Sequence, residues 1–256
     1  MTRGLIALAI LVVLGALKLP IERDLMALHR REHFRSVEFN LDLREKVGQL
    51  GFIAALSGFR AIVADALFIQ AHSAWERTEW GRILLLFRHI TTLQPRVLLF
   101  WDTAAWHMAW NASVAAMNDR FQPRLALRVK AQREYFALGK DFLERGIKNN
   151  PDRPQLYEAL ARLCKEKYKD HERASELYSK AAVLPAAATY DRRFAAYELS
   201  YSEGREREAY QCLRRLYDEG EQQRLPTLIS RLKFLEDKLK VPQDQRIPDK
   251  HRNPAR

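Results

Sequence analysis

Two independent sets of markers recur along this chain at one spacing. Leu67 and Trp101 lie 34 residues apart, and so do Pro151 and Pro185. Trp101 to Tyr157 and Pro95 to Pro151 both span 56 residues, which is one such period lengthened by 22. Markers that agree on a period and on the size of an interruption point to stacked supersecondary units. A helix–turn–helix unit of about 34 residues cannot bury its apolar face alone and needs neighbours of its own kind. The added residues fall within 112–133, around the turn Met117-Asn118-Asp119-Arg120-Phe121-Gln122-Pro123-Arg124. They lengthen the two helices of one unit and the loop between them.

The residue pattern agrees with helices. Apolar side chains recur at helical spacing over most of the chain, and period-two alternation is almost absent. With ten glycines and ten prolines in 256 residues, there are few breakers, and they sit between the apolar runs. The class is all-α. Helix breaks are predicted near Gly58, Thr78, Gln94–Arg96, Asn118–Pro123, Asn149–Pro154, His171, Pro185, Gly204 and Glu219–Pro226.

Particular residues carry a likeness to a known family. Trp101, Ala104, Ala105 and Met108 follow the spacing of large and small residues in the first helix of a tetratricopeptide repeat. Tyr157, Leu160, Ala161 and Cys164 follow it again, and Leu67, Gln70, Ala71 and Ala74 follow it in part. Over residues 62–218 the chain resembles the tetratricopeptide repeat (TPR) family. A fourth, looser unit follows Pro185, with its turn at Gly204 and with Ala209 and Leu213 on its second helix. The segment holding Phe59, Arg60, Ala64 and Asp65, followed by a tryptophan-rich unit, is similar to bacterial membrane-anchored proteins of this type.

The resemblance implies an α-solenoid of TPR-like repeats over residues 60–225. A capping helix over 226–239 would close its exposed end with Leu228, Ile229, Leu232, Leu235 and Leu239 on one stripe. Residues 240–256, with three prolines and many charges, are read as a disordered tail. In the family, four positions of each first helix line a concave groove that holds a peptide or helix. Carried over, these are Asp65, Phe68, His72 and Trp75 in the first unit. In the second they are Leu99, Asp102, Trp106 and Ala109, and in the third Gln155, Glu158, Arg162 and Lys165. Trp101 falls on a packing position. Trp75 and Trp106 are then either groove anchors or side chains buried by longer flanking helices.

The amino terminus reads differently. Gly4 to Leu17 is an apolar run preceded by Arg3 and followed by Lys18 and Pro20. It is short for a membrane span, which needs about 20 residues, and has the length of a signal-peptide core. A small-x-small cleavage site is missing after it, and no cysteine follows that could take a lipid. Residues 1–20 are therefore read as an uncleaved signal anchor, touching the membrane through 4–19. A cleaved signal peptide and a buried N-terminal helix are the alternatives. Arg3 favours a cytoplasmic N-terminus, whereas Lys18, Arg23, Arg30, Arg31 and Arg35 pull the other way. The reading places the body on the extracytoplasmic (periplasmic) side. Residues 21–59 would be a juxtamembrane stalk and first packing helices, with Asn40 capping a helix near Leu41. The apolar stretch 47–70 carries both Arg60 and Asp65, which are costly in lipid. A helix pair turning at Gly58 fits it better than a second span.

No motif for catalysis stands out. A glycine-rich phosphate loop, a G-x-S-x-G elbow and an HExxH pair are all missing from the sequence. His72 and Glu76 share a helical face but lack a third ligand at metal spacing, so no metal or other cofactor is expected. Cys164 and Cys212 make neither a metal motif nor a disulfide framework, and the sequence leaves open whether they are bridged. The net charge of +11 is uneven: residues 1–118 carry 13 Lys/Arg against 10 Asp/Glu, and residues 119–256 carry 30 against 22. A basic half admits a second reading, in which it binds nucleic acid or an anionic polymer. Acidic residues are interleaved through that half, which favours a solvated helical surface instead. The leading expectation is a membrane-anchored, non-catalytic scaffold binding a protein or peptide partner.

Overall fold

The computed structural model of the chain describes residues 58–248, and all regular structure among them is helical. Helix α1 spans Arg60–Glu76 and α2 spans Trp80–Leu93. Helix α3 runs Leu98–Trp106, passes through a π-helical segment His107–Ala112 and ends as Ser113–Met117. Helix α4 is Leu125–Asn149. Helix α5 is Pro154–Leu163 and continues as a π segment Cys164–Tyr168. Then come α6 (His171–Ala182), α7 (Asp191–Leu199), α8 (Glu206–Asp218) and α9 (Pro226–Lys238).

Local chemistry sets these boundaries. Pro154 and Pro226 open α5 and α9, where a missing N–H costs nothing because the first turn has no internal acceptor for it. Asp170 caps α6 by accepting from the Arg173 backbone N–H at 2.9 Å. Lys169, at φ 58°, turns the chain left-handed to stop α5, and Thr78, at φ 57°, reverses it between α1 and α2.

Each helix packs chiefly on its neighbours in sequence. Contacts also join alternate helices: Phe68 of α1 lies 5.4 Å, ring to ring, from Phe100 of α3, and α3 in turn touches α5. Small side chains permit this closeness. Ala64, Ala71 and Ala74 form the buried face of α1 with Leu67. Gly139 of α4 sits so near α3 that a Cβ there would stand 2.7 Å from the Cβ of Ala109. Gly146 likewise leaves room for Trp101, whose Cγ would lie 3.0 Å from an added Cβ.

Two features recur between α3 and α5. Trp101 Nε1 donates to the Pro95 carbonyl at 2.9 Å, and Tyr157 Oη donates to the Pro151 carbonyl at 3.1 Å. In each pair the donor lies six residues after the proline. Both helices also become π-helical at nearly the same distance beyond these residues, at His107 and at Cys164.

Between Trp101 and Tyr157 the chain forms the rest of α3, loop 118–124, the long helix α4 and the start of α5. At the C-terminal end, Leu213, Leu228, Leu232 and Leu235 form a cluster with Ala196 and Leu199. Residues 240–248, which the sequence assigns to a disordered tail, are ordered against it through Ile247. Ile247 is buried in it, its N–H donates to Glu236 at 2.9 Å, and Arg246 pairs with Asp237 at 2.6 Å. The expected anchor at 1–20, the stalk and helix start near Asn40 and Leu41, and the tail beyond 248 lie outside the described residues.

Candidate functional site

Three depressions adjoin along the alternate helices α1, α3, α5 and α7. The first, of about 150 Å³, holds Phe68, His72 and Trp75 of α1 against Trp106 and His107 of α3. The second, of about 260 Å³, shares Trp106 with the first and adds Trp110 and Arg162. The third, of about 450 Å³, shares Asp102 and Arg162 with the second and continues over Leu99, Gln155 and Glu158 to Tyr190 and Phe194. Neighbours share side chains, so the three lie side by side as a row, called the groove below.

Its walls are aromatic with a few charges. Trp106 is 45% exposed and Trp75 is 36% exposed, although both stack against other rings. Arg162 reaches across from α5, 3.8 Å from Asp102 and with its guanidinium 6.0 Å from the centre of the Trp110 ring. Trp110 Nε1 donates to Glu166 at 3.2 Å, which ties the end of α3 to that of α5. At the far end, Tyr190 Oη donates to Glu158 at 2.6 Å. This hydrogen bond, with burial, pushes the phenol up to about 12. Beneath it Asp191 is fully buried, with Oδ2 accepting from the Ala188 N–H at 3.0 Å and Oδ1 unpartnered. Burial and the nearby Glu158 raise that carboxyl to about 6.

Of the residues assigned to the groove by resemblance, Phe68, His72, Trp75, Leu99, Asp102, Trp106, Gln155, Glu158 and Arg162 line these depressions. Ala109 does not: it is buried against Gly139 of α4. Lys165 turns to Glu198 on α7, with its Nζ 3.0 Å from the carboxylate. Both residues lie in π segments, whose wider turn rotates later side chains away from the 3.6-residue register. Asp65 is exposed on α1, one turn before Phe68, and lines none of the three depressions. Tyr190, Phe194, Trp110 and His107 were not foreseen. A spacing of i, i+4, i+7 in Tyr190, Phe194 and Tyr197 was the available signal for the first two.

His107 forms the back of the first depression, among the rings of Trp75, Phe87 and Trp106. The Asn111 amide lies 3.2 Å from its Nδ1. An amide N–H can only donate, so Nδ1 accepts and the neutral ring carries its proton on Nε2. Burial, and secondarily His72, lowers its pKa from 6.5 to about 4. The unfolded chain therefore takes up a proton below about pH 6.5 that the folded chain refuses until about pH 4. Stability from His107 is full above that window and falls as the pH drops through it. Asp191, with its pKa raised, acts in the opposite sense and favours the fold on acidification through pH 6. A single variant separates the two. Thermal unfolding of His107→Gln is expected to lose less stability than the parent between pH 7 and pH 4.5, by on the order of 2 kcal/mol. Equal slopes would show that His107 titrates as freely in the fold as out of it.

Other chemistry is sparse among the described residues. Cys164 and Cys212 are free thiols, and burial with Asp170 close by pushes Cys164 up to about 11, far from a thiolate at neutral pH. No cluster of three or more His, Cys, Asp or Glu placed to hold a metal ion occurs among the described residues. The fold and groove thus define an all-α protein of packed consecutive helices. No family model, no curated protein and no solved structure matches the chain.

Proposed function

We propose that this chain is a TPR-type scaffold that binds a protein or peptide partner along the groove of its alternate helices and performs no chemistry of its own. The observation that carries this is the row of adjoining depressions from Phe68 to Phe194, which share Trp106, Asp102 and Arg162 as wall residues. Exposed tryptophans in a concave, partly desolvated setting suit hot-spot anchoring, and extended or helical segments suit a groove along helices. The repeat reading is supported by the matching Trp101–Pro95 and Tyr157–Pro151 hydrogen bonds and by the matched π segments. In this proposal residues 4–19 hold the chain in a membrane with its body on the extracytoplasmic side. No helix among the described residues is long and apolar enough to cross a membrane, so the attachment rests on the N-terminal run.

Binding of nucleic acid through the basic C-terminal half is less well supported. Several of its cations face acids: Arg173 lies 2.6 Å from Glu176, Lys238 2.7 Å from Glu206, Arg214 3.2 Å from Asp218, and Arg205 meets both Glu172 and Glu208. A cation already held by a carboxylate gains less from a phosphate, and the acids interleaved with these cations repel one.

Photo-crosslinking in cells tests the groove. A crosslinking side chain at Leu99, at Phe194 or beside Trp75 at His72 is expected to trap one and the same protein. The same group at Glu176, exposed on α6 in a separate depression against α7 and α8, is expected not to. Different proteins trapped from the three groove positions, or equal trapping from α6, would remove the proposal.

A further inference from the structure

The hairpin that interrupts the 34-residue period carries a surface the groove does not use. Loop 118–124 joins the end of α3 to the start of α4, and no residue from Asn118 to Leu138 is buried. The buried residues of α4 begin only at Gly139. The first half of this helix therefore adds no buried residue to the core. Yet its tip is apolar. Phe121 is 96% exposed, Leu125 55% and Leu127 41%, with Val114 of α3 nearby in the chain at 49%.

The same stretch is strongly basic. Between Arg120 and Arg133 there are five Lys/Arg and no Asp/Glu. Arg128 is drawn into the hairpin, donating to the Met117 carbonyl at 3.4 Å, and Lys130 pairs loosely with Glu134 at 3.9 Å. Arg120, Arg124 and Arg133 have no acidic partner among the described residues. The loop is held in shape from within: Asp119 Oδ1 accepts from the Phe121 N–H at 2.9 Å. Helix α4 then begins at Leu125 with no capping side chain and no acidic residue in its first turn, which leaves its positive end open.

We propose that this hairpin tip inserts into an anionic membrane surface, with Phe121, Leu125 and Leu127 among the lipid chains and Arg120 and Arg124 on the headgroup phosphates. Two features favour a bilayer over a protein. Leu125 and Leu127 are two residues apart on a helix, so they point to nearly opposite sides. A rigid partner would cover one side only, whereas a fluid interface surrounds a tip. The cations also flank the apolar residues directly, matching the layering of phosphate above acyl chain. An amphipathic tip of this kind holds weakly by itself, as a second contact for a chain already near a membrane. It does not depend on the N-terminal anchor being correct.

The test uses the full chain with Cys212→Ser and Phe121→Cys, labelled at position 121 with a polarity-sensitive dye. A second preparation is labelled through Glu176→Cys. Each is mixed with vesicles of phosphatidylcholine alone, or of phosphatidylcholine and phosphatidylglycerol in equal parts. Insertion is expected to shift the dye at 121 to the blue and to expose it to quenching by spin-labelled lipid, only in the phosphatidylglycerol vesicles. The dye at 176 is expected to stay in water. Adding Arg120→Glu and Arg124→Glu is expected to reduce the inserted fraction about tenfold or more, since each basic residue near such a surface contributes about fivefold. All three residues are exposed, so retained helicity checks the fold. A dye that stays in water with phosphatidylglycerol overturns the proposal. So does an equal shift with phosphatidylcholine alone, or a shift without vesicles that grows with protein concentration, which would mark contact between copies. The readout is local to residue 121. A chain that binds only phosphatidylglycerol vesicles, through the tip, would support this proposal while removing the anchor.

Discussion

Trp101→Ala is expected to cost about 3–5 kcal/mol of stability, the range for deleting a fully buried tryptophan. Trp101 is 1% exposed and packs against Phe142 of α4, with ring centres 6.4 Å apart. The Arg145 guanidinium lies 5.6 Å over its ring, and Gly146 is in direct contact with it. A glycine shaped to the tryptophan cannot fill the space the ring leaves, so the cavity persists. Part of the loss is softened, because the Pro95 carbonyl keeps a second donor in Asn150 Nδ2 at 2.8 Å when the indole N–H is removed. For a domain of this size the melting temperature should fall on the order of 10 °C. Trp101→Phe, which keeps most of the ring, should cost less than Trp101→Ala. Thermal and urea unfolding followed by circular dichroism measure this. A cost below about 1 kcal/mol would show that the region repacks and that Trp101 is not central to the junction of α3 and α4.

How far the fold can be read in advance is visible in particular residues. Helix stops are legible wherever a breaker acts through the backbone: Thr78 and Gly204 at positive φ, Pro154 and Pro226 at helix starts, Asn118–Pro123 in the long loop. Trp101 as core is legible too; Trp106, five residues on and so about 140° around the helix, is left open by the sequence between groove and core, and the structure leaves it 45% exposed. The π segments are not. They carry no sequence signature, and each rotates the residues that follow, which removes Ala109 and Lys165 from the groove. Ile247 also escapes notice, since one apolar residue among prolines and charges gives no period. What orders it is the Glu236 carboxylate and the cluster of leucines beneath, contacts that no local pattern announces. The partner-facing role of the groove rests on likeness and geometry, and no residue type in it dictates what it holds.

Trp106→Ala is expected to do the reverse of Trp101→Ala. The Trp106 side chain is 45% exposed and leans on His107, with ring centres 5.1 Å apart. It also belongs to the first and second depressions at once, so a partner running along the groove must pass over it. Truncation should lower affinity for the partner trapped at Leu99 by about 2 kcal/mol or more, as for an aromatic anchor, while the melting temperature moves little. Arg162→Glu extends the test to the junction of the second and third depressions. It removes the cation facing Asp102 at 3.8 Å and places a carboxylate one turn from Glu158, without opening a cavity. A partner that meets Arg162 should be lost or weakened by at least tenfold, with the fold intact. Isothermal titration with purified partner, set beside thermal unfolding of the same variants, separates binding from stability. If Trp106→Ala unfolds the chain as Trp101→Ala does, and Arg162→Glu binds normally, the groove is packing surface and the partner docks elsewhere.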